Sequence, residues 1–200
     1  MKRVVDLLVA STALVLATPL LLMTAVAIWA TLGRPIFFTQ LRPGRHGRPF
    51  RLIKFRSMRA DRDVHGALLP DEQRLVPLGR FLRRFRLDEL PGLSNVVRGD
   101  MSLVGPRPLL LDAYAADPAG RARRLSVRPG LTGWAQVNGN TLLDPAAKLA
   151  LDLWYVDHRS LALDLVILWR TVVVLIRGER IDPGSLKRAR IHANGVRGCS

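Results

Sequence analysis

From Leu7 to Gly33 the chain runs for 27 residues without a charge, LLVASTALVLATPLLLMTAVAIWATLG, and this stretch limits its possible folds more than any other. A straight helix of that length would extend about 40 Å at 1.5 Å per residue, more than the roughly 30 Å of a bilayer core. The stretch is therefore membrane material. Pro19 falls near its middle, removing one backbone hydrogen bond and crowding the carbonyl a turn earlier, so a kink or break is expected at Thr18-Pro19. Lys2 and Arg3 precede the stretch, while Arg34, Arg42, Arg45 and Arg48 follow it. By the positive-inside rule both ends face the cytoplasm. The simplest structure obeying that rule is a re-entrant membrane helix over residues 1–34, broken at Thr18-Pro19, with the Thr18 hydroxyl available to a freed backbone group. A single spanning helix and a signal peptide ending near Ala25-Val26-Ala27 are the alternatives. The signal peptide is disfavoured by the length of the apolar run.

The remaining residues suffice for one compact domain. Across the chain 31 Lys+Arg stand against 16 Asp+Glu, a net charge of +15, although 48% of residues are hydrophobic. Such a chain is too apolar to be disordered, and its partners should be anionic: membrane lipid, nucleotide phosphate or nucleic acid. Nucleic acid is disfavoured because no helix-turn-helix or zinc-finger pattern occurs and the apolar N-terminus would go unused. The one cysteine, Cys199, allows no intramolecular disulfide, and His46, His65, His158 and His192 lack metal-ligand spacing.

Downstream, PIFFTQ and PFRLIKF flank the basic turn RPGRHGR and predict a hairpin or two short strands. Leu78, Phe81, Leu82 and Phe85 recur at helical spacing in PLGRFLRRFRLDEL, and Leu93–Val97 predicts a second short helix stopped by Gly99. DAYAADPAGRARRLSV is expected to be helical around Pro118, and RPGLTGWAQVNGN to be a glycine-rich loop. Ala147–Leu175 carries Asp152, Asp157, Asp164 and Arg170 among apolar residues, as amphipathic helices on the protein or at a membrane interface do. The expected fold is α+β and predominantly helical: the membrane helix at 1–34, a compact cytoplasmic domain at 35–176 with a small β element, and a basic, flexible tail at 177–200.

Asp88 and Glu89 stand adjacent in a region crowded by Arg83, Arg84 and Arg86. One reading is structural, with Asp88 as a helix cap, Glu89 at the positive helix end and Pro91 in a first turn. The other is chemical: paired carboxylates can hold Mg²⁺ while arginines grip phosphate, and an ionised Asp88 could attack phosphorus. The rigid Gly105-Pro106-Arg107-Pro108 turn adds a further cation. In KFRSM, Lys54 and Arg56 share one side of an extended chain. The later loop offers Arg128, Thr132, Gln136 and Asn138 among glycines that let backbone amides approach a ligand.

Taken together, KFRSM, LRRFRLDELPGLSNVVRGDMSLVGPRP, RPGLTGWAQVNG and the proline-containing apolar N-terminus resemble the bacterial sugar transferases, more narrowly the small monotopic polyprenyl-phosphate phosphoglycosyl transferases. The resemblance runs from about Lys2 to Leu175. It implies a Mg²⁺-dependent enzyme on the cytoplasmic face of the bacterial inner membrane that moves a hexose 1-phosphate from a UDP-sugar to undecaprenyl phosphate. Anionic lipids would be further partners of its basic surface. By the same resemblance Asp88 is the nucleophile, forming a covalent phosphosugar intermediate, and Glu89 is a metal ligand. Lys54 and Arg83 would support the pair, Arg107 beside Pro108 would contact the donor, and Asp164 would be a secondary acid of the site. Two positions depart from the family pattern: Gly92 stands where glutamine is usual, and Asn140 where arginine is usual. The second leaves either Arg128 to compensate or a different donor preference. A membrane-tethered basic binding protein without catalysis is the alternative function.

Overall fold

The computed structural model describes residues 1–109 and 118–197. Helix α1 spans Lys2–Leu32, followed by strands β1 (Phe37–Pro43) and β2 (Pro49–Phe55). Short helices α2 (Asp71–Arg74), α3 (Pro77–Arg84) and α4 (Leu93–Arg98) lead to strand β3 (Ser102–Val104). Helix α5 (Pro118–Arg124), strand β4 (Gly130–Thr132) and helix α6 (Trp134–Val137) precede the longer helices α7 (Pro145–His158), α8 (Leu161–Arg177) and α9 (Pro183–Arg197). The molecule is mostly helical with two small sheets, as expected.

The membrane helix differs in one respect from its sequence reading. α1 runs without interruption through Pro19 rather than breaking there. A proline removes a single rung of the ladder, and the flanking turns keep theirs. The Thr18 hydroxyl donates to the Leu14 carbonyl (3.0 Å), adding a bond beside the gap. α1 is long and apolar enough to cross a membrane. Its exposed side chains include Leu8, Val15, Leu16, Leu22, Met23 and Trp29.

Both ends of α1 nevertheless dock on the same domain. At the start, Lys2 pairs with Asp164, and Arg3 donates to the carbonyls of Val96 and Val97. Buried Asp6 accepts from the Ser102 hydroxyl (2.8 Å) and the Leu103 amide (3.1 Å). At the other end Ile28 packs with Phe55 and Leu82. The Arg56 guanidinium donates to the carbonyls of Leu32, Gly33 and Arg34, closing the C-terminus of the helix.

The hairpin is present with the register Phe37↔Phe55 to Pro43↔Pro49. The glycine-rich segment departs from expectation: instead of a surface loop it forms β4, which pairs in parallel with β3, and then buried α6. Its glycines permit very close backbone approach. A Cβ on Gly133 would lie 2.2 Å from the Gly105 carbonyl oxygen, which no side chain tolerates. Around this seam lies the main core, with Met101, Val104, Trp134, Leu151, Tyr155 and Ile167.

α7 buries half of its residues, whereas α8 buries Asp164 and Ile167 and exposes Leu165, Val166, Trp169, Val172 and Ile176. The C-terminal stretch, read from sequence as a flexible tail, contains α9, which packs on α7. Leu186, Ala189 and Ala193 supply a small apolar stripe there. The Asp182 carboxylate caps the helix, accepting from the amides of Gly184 (3.0 Å) and Ser185 (3.2 Å). The helix expected around Pro118 is seen as α5, while residues 112–117 of that expectation, and Cys199, lie outside the described residues.

Candidate active site

Asp88 and Glu89 sit inside a 3₁₀ turn, Leu87–Gly92, that joins α3 to α4. Asp88 does not cap a helix: neither this turn nor α4 has a side-chain cap hydrogen bond. The backbone reverses at Arg86, which has the left-handed φ of 52°. Its amide bonds the Arg83 carbonyl (3.2 Å) and its carbonyl accepts from the Glu89 amide (3.1 Å). This one residue thus links the last turn of α3 to the carboxylate pair.

The two carboxylates have different surroundings. Glu89 accepts from Lys54 Nζ (2.7 Å) on β2 and from the Arg107 guanidinium. Burial alone would raise its carboxyl, but Arg107 and Lys54 outweigh that and hold it down to about 2. Asp88 is buried, and among the described residues none hydrogen-bonds its carboxylate. Burial pushes its carboxyl above the ordinary 3.8, and the Glu89 charge adds to this. Lys54, Arg83 and Arg107 pull the other way without cancelling it. One member is a fixed anion clamped by cations; the other is a desolvated carboxylate with free lone pairs.

Neighbouring elements fix this arrangement. Asn95 of α4, fully buried, accepts from the Ile53 amide (3.1 Å) and donates to the Arg51 carbonyl (2.8 Å), holding β2 and therefore Lys54 against the dyad. Arg83 is oriented by Ser57 Oγ (3.0 Å). Arg107 has its carbonyl held by Arg124, which forms a buried pair with Asp152 of α7 (2.7 Å). A cleft lined by Arg42, Lys54, Glu89, Arg107, Pro108 and Leu131 opens beside Glu89. Among the described residues there is no group of three or more His, Cys, Asp or Glu that could hold a metal. The dyad nonetheless suits Mg²⁺, which commonly takes one or two carboxylates and completes its shell with water and substrate phosphates.

The other candidates lie elsewhere in the fold. Arg128 donates to the Gly99 carbonyl (2.9 Å) at the C-terminal end of α4 and neither hydrogen-bonds nor pairs with the dyad. Thr132 bonds Thr171 (2.7 Å), and Gln136 donates to the Leu131 carbonyl (3.0 Å). Asn138 donates to the Trp134 carbonyl (2.7 Å) and accepts from Arg170 (2.8 Å). These three are buried, and none of them lines the cleft. Asp164 accepts from the Tyr155 hydroxyl (2.7 Å) and pairs with Lys2, tying α8 to α1. The structure therefore gathers Lys54, Arg83, Asp88, Glu89, Arg107 and Pro108, and sets Arg128 and Asp164 apart from them.

The family model for bacterial sugar transferases matches residues 1–178. The chain belongs to the bacterial sugar transferase family. The expectation of a phosphoglycosyl transferase is thereby borne out. An uncharacterized sugar transferase, EpsL, of Bacillus subtilis is 48% identical over 91% of this chain and 90% of its own length. A UDP-glucose:undecaprenyl-phosphate glucose-1-phosphate transferase of Caulobacter vibrioides is 42% identical over 88% of this chain and 69% of its own. A UDP-N-acetylgalactosamine-undecaprenyl-phosphate N-acetylgalactosaminephosphotransferase of Aeromonas hydrophila is 38% identical over 88% of this chain, which spans 44% of that relative.

Both departures from the family pattern have a local setting in this sugar transferase. At Gly92 a Cβ would lie 3.0 Å from Leu131, so a longer side chain must move a residue of the cleft. Asn140 donates to the carboxylate of Glu179, a residue the sequence did not single out. Asn95, Ser57 and Arg124 were likewise illegible, because they act through backbone atoms and partners distant in sequence.

Proposed function

We propose that this sugar transferase moves a hexose 1-phosphate from a UDP-sugar to undecaprenyl phosphate, releasing UMP and forming a polyprenyl diphosphate sugar that begins a membrane glycan. The observation that carries the reading is the asymmetry of the dyad: a buried, unbonded Asp88 beside a Glu89 clamped by Lys54 and Arg107. An Asp88 carboxylate oxygen attacks the phosphorus that bears the sugar. The new O–P bond replaces the one to UMP, which departs with its electron pair. A phosphate oxygen of undecaprenyl phosphate then attacks the same phosphorus and frees Asp88. Arg107 and Lys54 place positive charge beside the transferring group, and Glu89 holds both in position. Mg²⁺ held by Asp88 and Glu89 would neutralise charge developing on the phosphoryl oxygens. The named activities of the Caulobacter and Aeromonas relatives support this reading.

The test is a panel of UDP-sugars offered to the purified enzyme in vesicles containing undecaprenyl phosphate and Mg²⁺. One or a few should yield UMP and a polyprenyl diphosphate sugar together. Consumption of none would overturn the proposal.

The same reading puts the domain on the cytoplasmic face, with α1 bending at Thr18-Pro19 without losing its helical run, so that it enters the bilayer and returns to that face. Support comes from the docking of both helix ends on one domain and from the cations at each end. Exposed apolar residues of α8 rest in the interface, where the +15 charge meets anionic lipid. Cysteines placed at Val4 and Arg48 in a Cys199→Ser background should react with an impermeant reagent from the same side of the membrane. Labelling from opposite sides would contradict the re-entrant arrangement.

A further inference from the structure

We infer that Glu179 is a positioning residue for the reaction, acting through Arg86 to fix the turn that presents Asp88; the inference rests on the reaction proposed above. Glu179 lies in the connection between α8 and α9, one residue beyond the family match, so that comparison assigns it no role. Both oxygens of its carboxylate are engaged. Oε1 accepts from Arg86 Nη2 (3.2 Å) and from the Asn140 amide group, and Oε2 from the Thr141 amide (3.1 Å) and hydroxyl. One partly buried carboxylate therefore joins the turn before the dyad, the turn at 139–142 and the C-terminal segment.

The position of Arg86 makes this contact consequential. A non-glycine residue at φ 52° occupies a sparsely populated region, which persists only when its surroundings hold it. Its amide and carbonyl join Arg83 to Glu89, so a small rotation there re-aims both Arg83 and the dyad. The guanidinium of Arg86 is the part of this joint that can be tethered from outside, and Glu179 tethers it. Attack on phosphorus tolerates little misplacement, since a displacement of about 1 Å can cost a hundredfold in rate. A loosened tether should lower the rate of the chemical step more than donor binding.

The experiment compares Glu179→Ala, Arg86→Ala, the double variant, and the exchanged pair Arg86→Glu with Glu179→Arg, each in the full-length enzyme. Asp182→Ala, which removes the cap of α9 without touching Arg86, controls for loosening of the C-terminal segment. Each single variant should slow single-turnover UMP release about tenfold while the donor KM changes by less than about twofold. The double variant should be no slower than the singles, and the exchanged pair should recover part of the loss. Asp182→Ala should lower the melting temperature with little change in the rate. Full activity of Glu179→Ala, or losses that multiply in the double variant, would overturn the inference. So would an Asp182→Ala variant slowed as much as Glu179→Ala. Should the wild-type enzyme release no UMP, the reaction itself is refuted. Thermal denaturation of the wild type, the two single variants and the double variant still measures whether Arg86 and Glu179 are coupled, and additive melting shifts would then overturn the tether.

Discussion

Replacing Asp88 by asparagine should abolish UMP release, a loss of about a thousandfold or more, because a neutral amide oxygen is too weak a nucleophile to form the acyl phosphate. The same change should leave the fold as stable as the wild type or more so. Asp88 is buried and no described residue hydrogen-bonds its carboxylate. Burial and the Glu89 charge raise its carboxyl above the ordinary value, despite the nearby cations. A group whose pKa is higher in the folded than in the unfolded chain destabilises the fold when it is ionised, and the isosteric amide removes that cost. Loss of activity with an unchanged or raised melting temperature is the signature of a functional carboxylate. If Asp88 were instead a structural cap, asparagine, itself a good cap residue, would leave activity largely intact. UMP release and thermal denaturation on one preparation separate the two outcomes.

Gly130→Ala should be among the most damaging substitutions, lowering stability by about 4 kcal/mol or more. A Cβ on Gly130 would stand 2.1 Å from the Gly105 amide nitrogen, 2.3 Å from the Thr132 carbonyl oxygen and 2.5 Å from the Gly105 carbonyl oxygen. All three are backbone atoms, so no rotamer change relieves the overlap. The β3–β4 pairing must separate, and with it the seam that holds Arg107 on one side and α6 on the other. Gly66→Ala is the control. It takes a left-handed backbone, φ 79°, which Gly130 does not, but its Cβ would meet open space, and its cost should be about 1 kcal/mol. Melting curves in detergent give the comparison, and wild-type stability of Gly130→Ala would contradict the parallel pairing.

The features that sequence made legible are those with local signals. The hairpin strands, the amphipathic spacing of α3 and the Gly99 stop of α4 all depend on residues near one another in the chain. The dyad was legible because two adjacent carboxylates among arginines are electrostatically unusual. Lys54 required the resemblance, since nothing in KFRSM alone says that a residue 35 positions later will face it. β3 and β4 were missed because a three-residue parallel pair has no periodicity to detect, and its glycines signal close approach as readily as a turn. α9 was missed for a related reason: its apolar stripe is only Leu186, Ala189 and Ala193, and its cap and ion pairs reach α7 and α8. Pro19 pointed to a break, whereas one missing hydrogen bond was absorbed within a continuous helix. Glu179 lay in a stretch whose basic composition drew attention away from its carboxylates.

The covalent role of Asp88 is most directly tested by mixing enzyme, Mg²⁺ and the preferred UDP-sugar without any polyprenyl phosphate and counting the UMP released. One equivalent per active enzyme, matched by a mass increase of one hexose phosphate on the peptide carrying Asp88, is the predicted result. No UMP until undecaprenyl phosphate is added, with turnover normal thereafter, would contradict it and favour direct transfer between the two substrates.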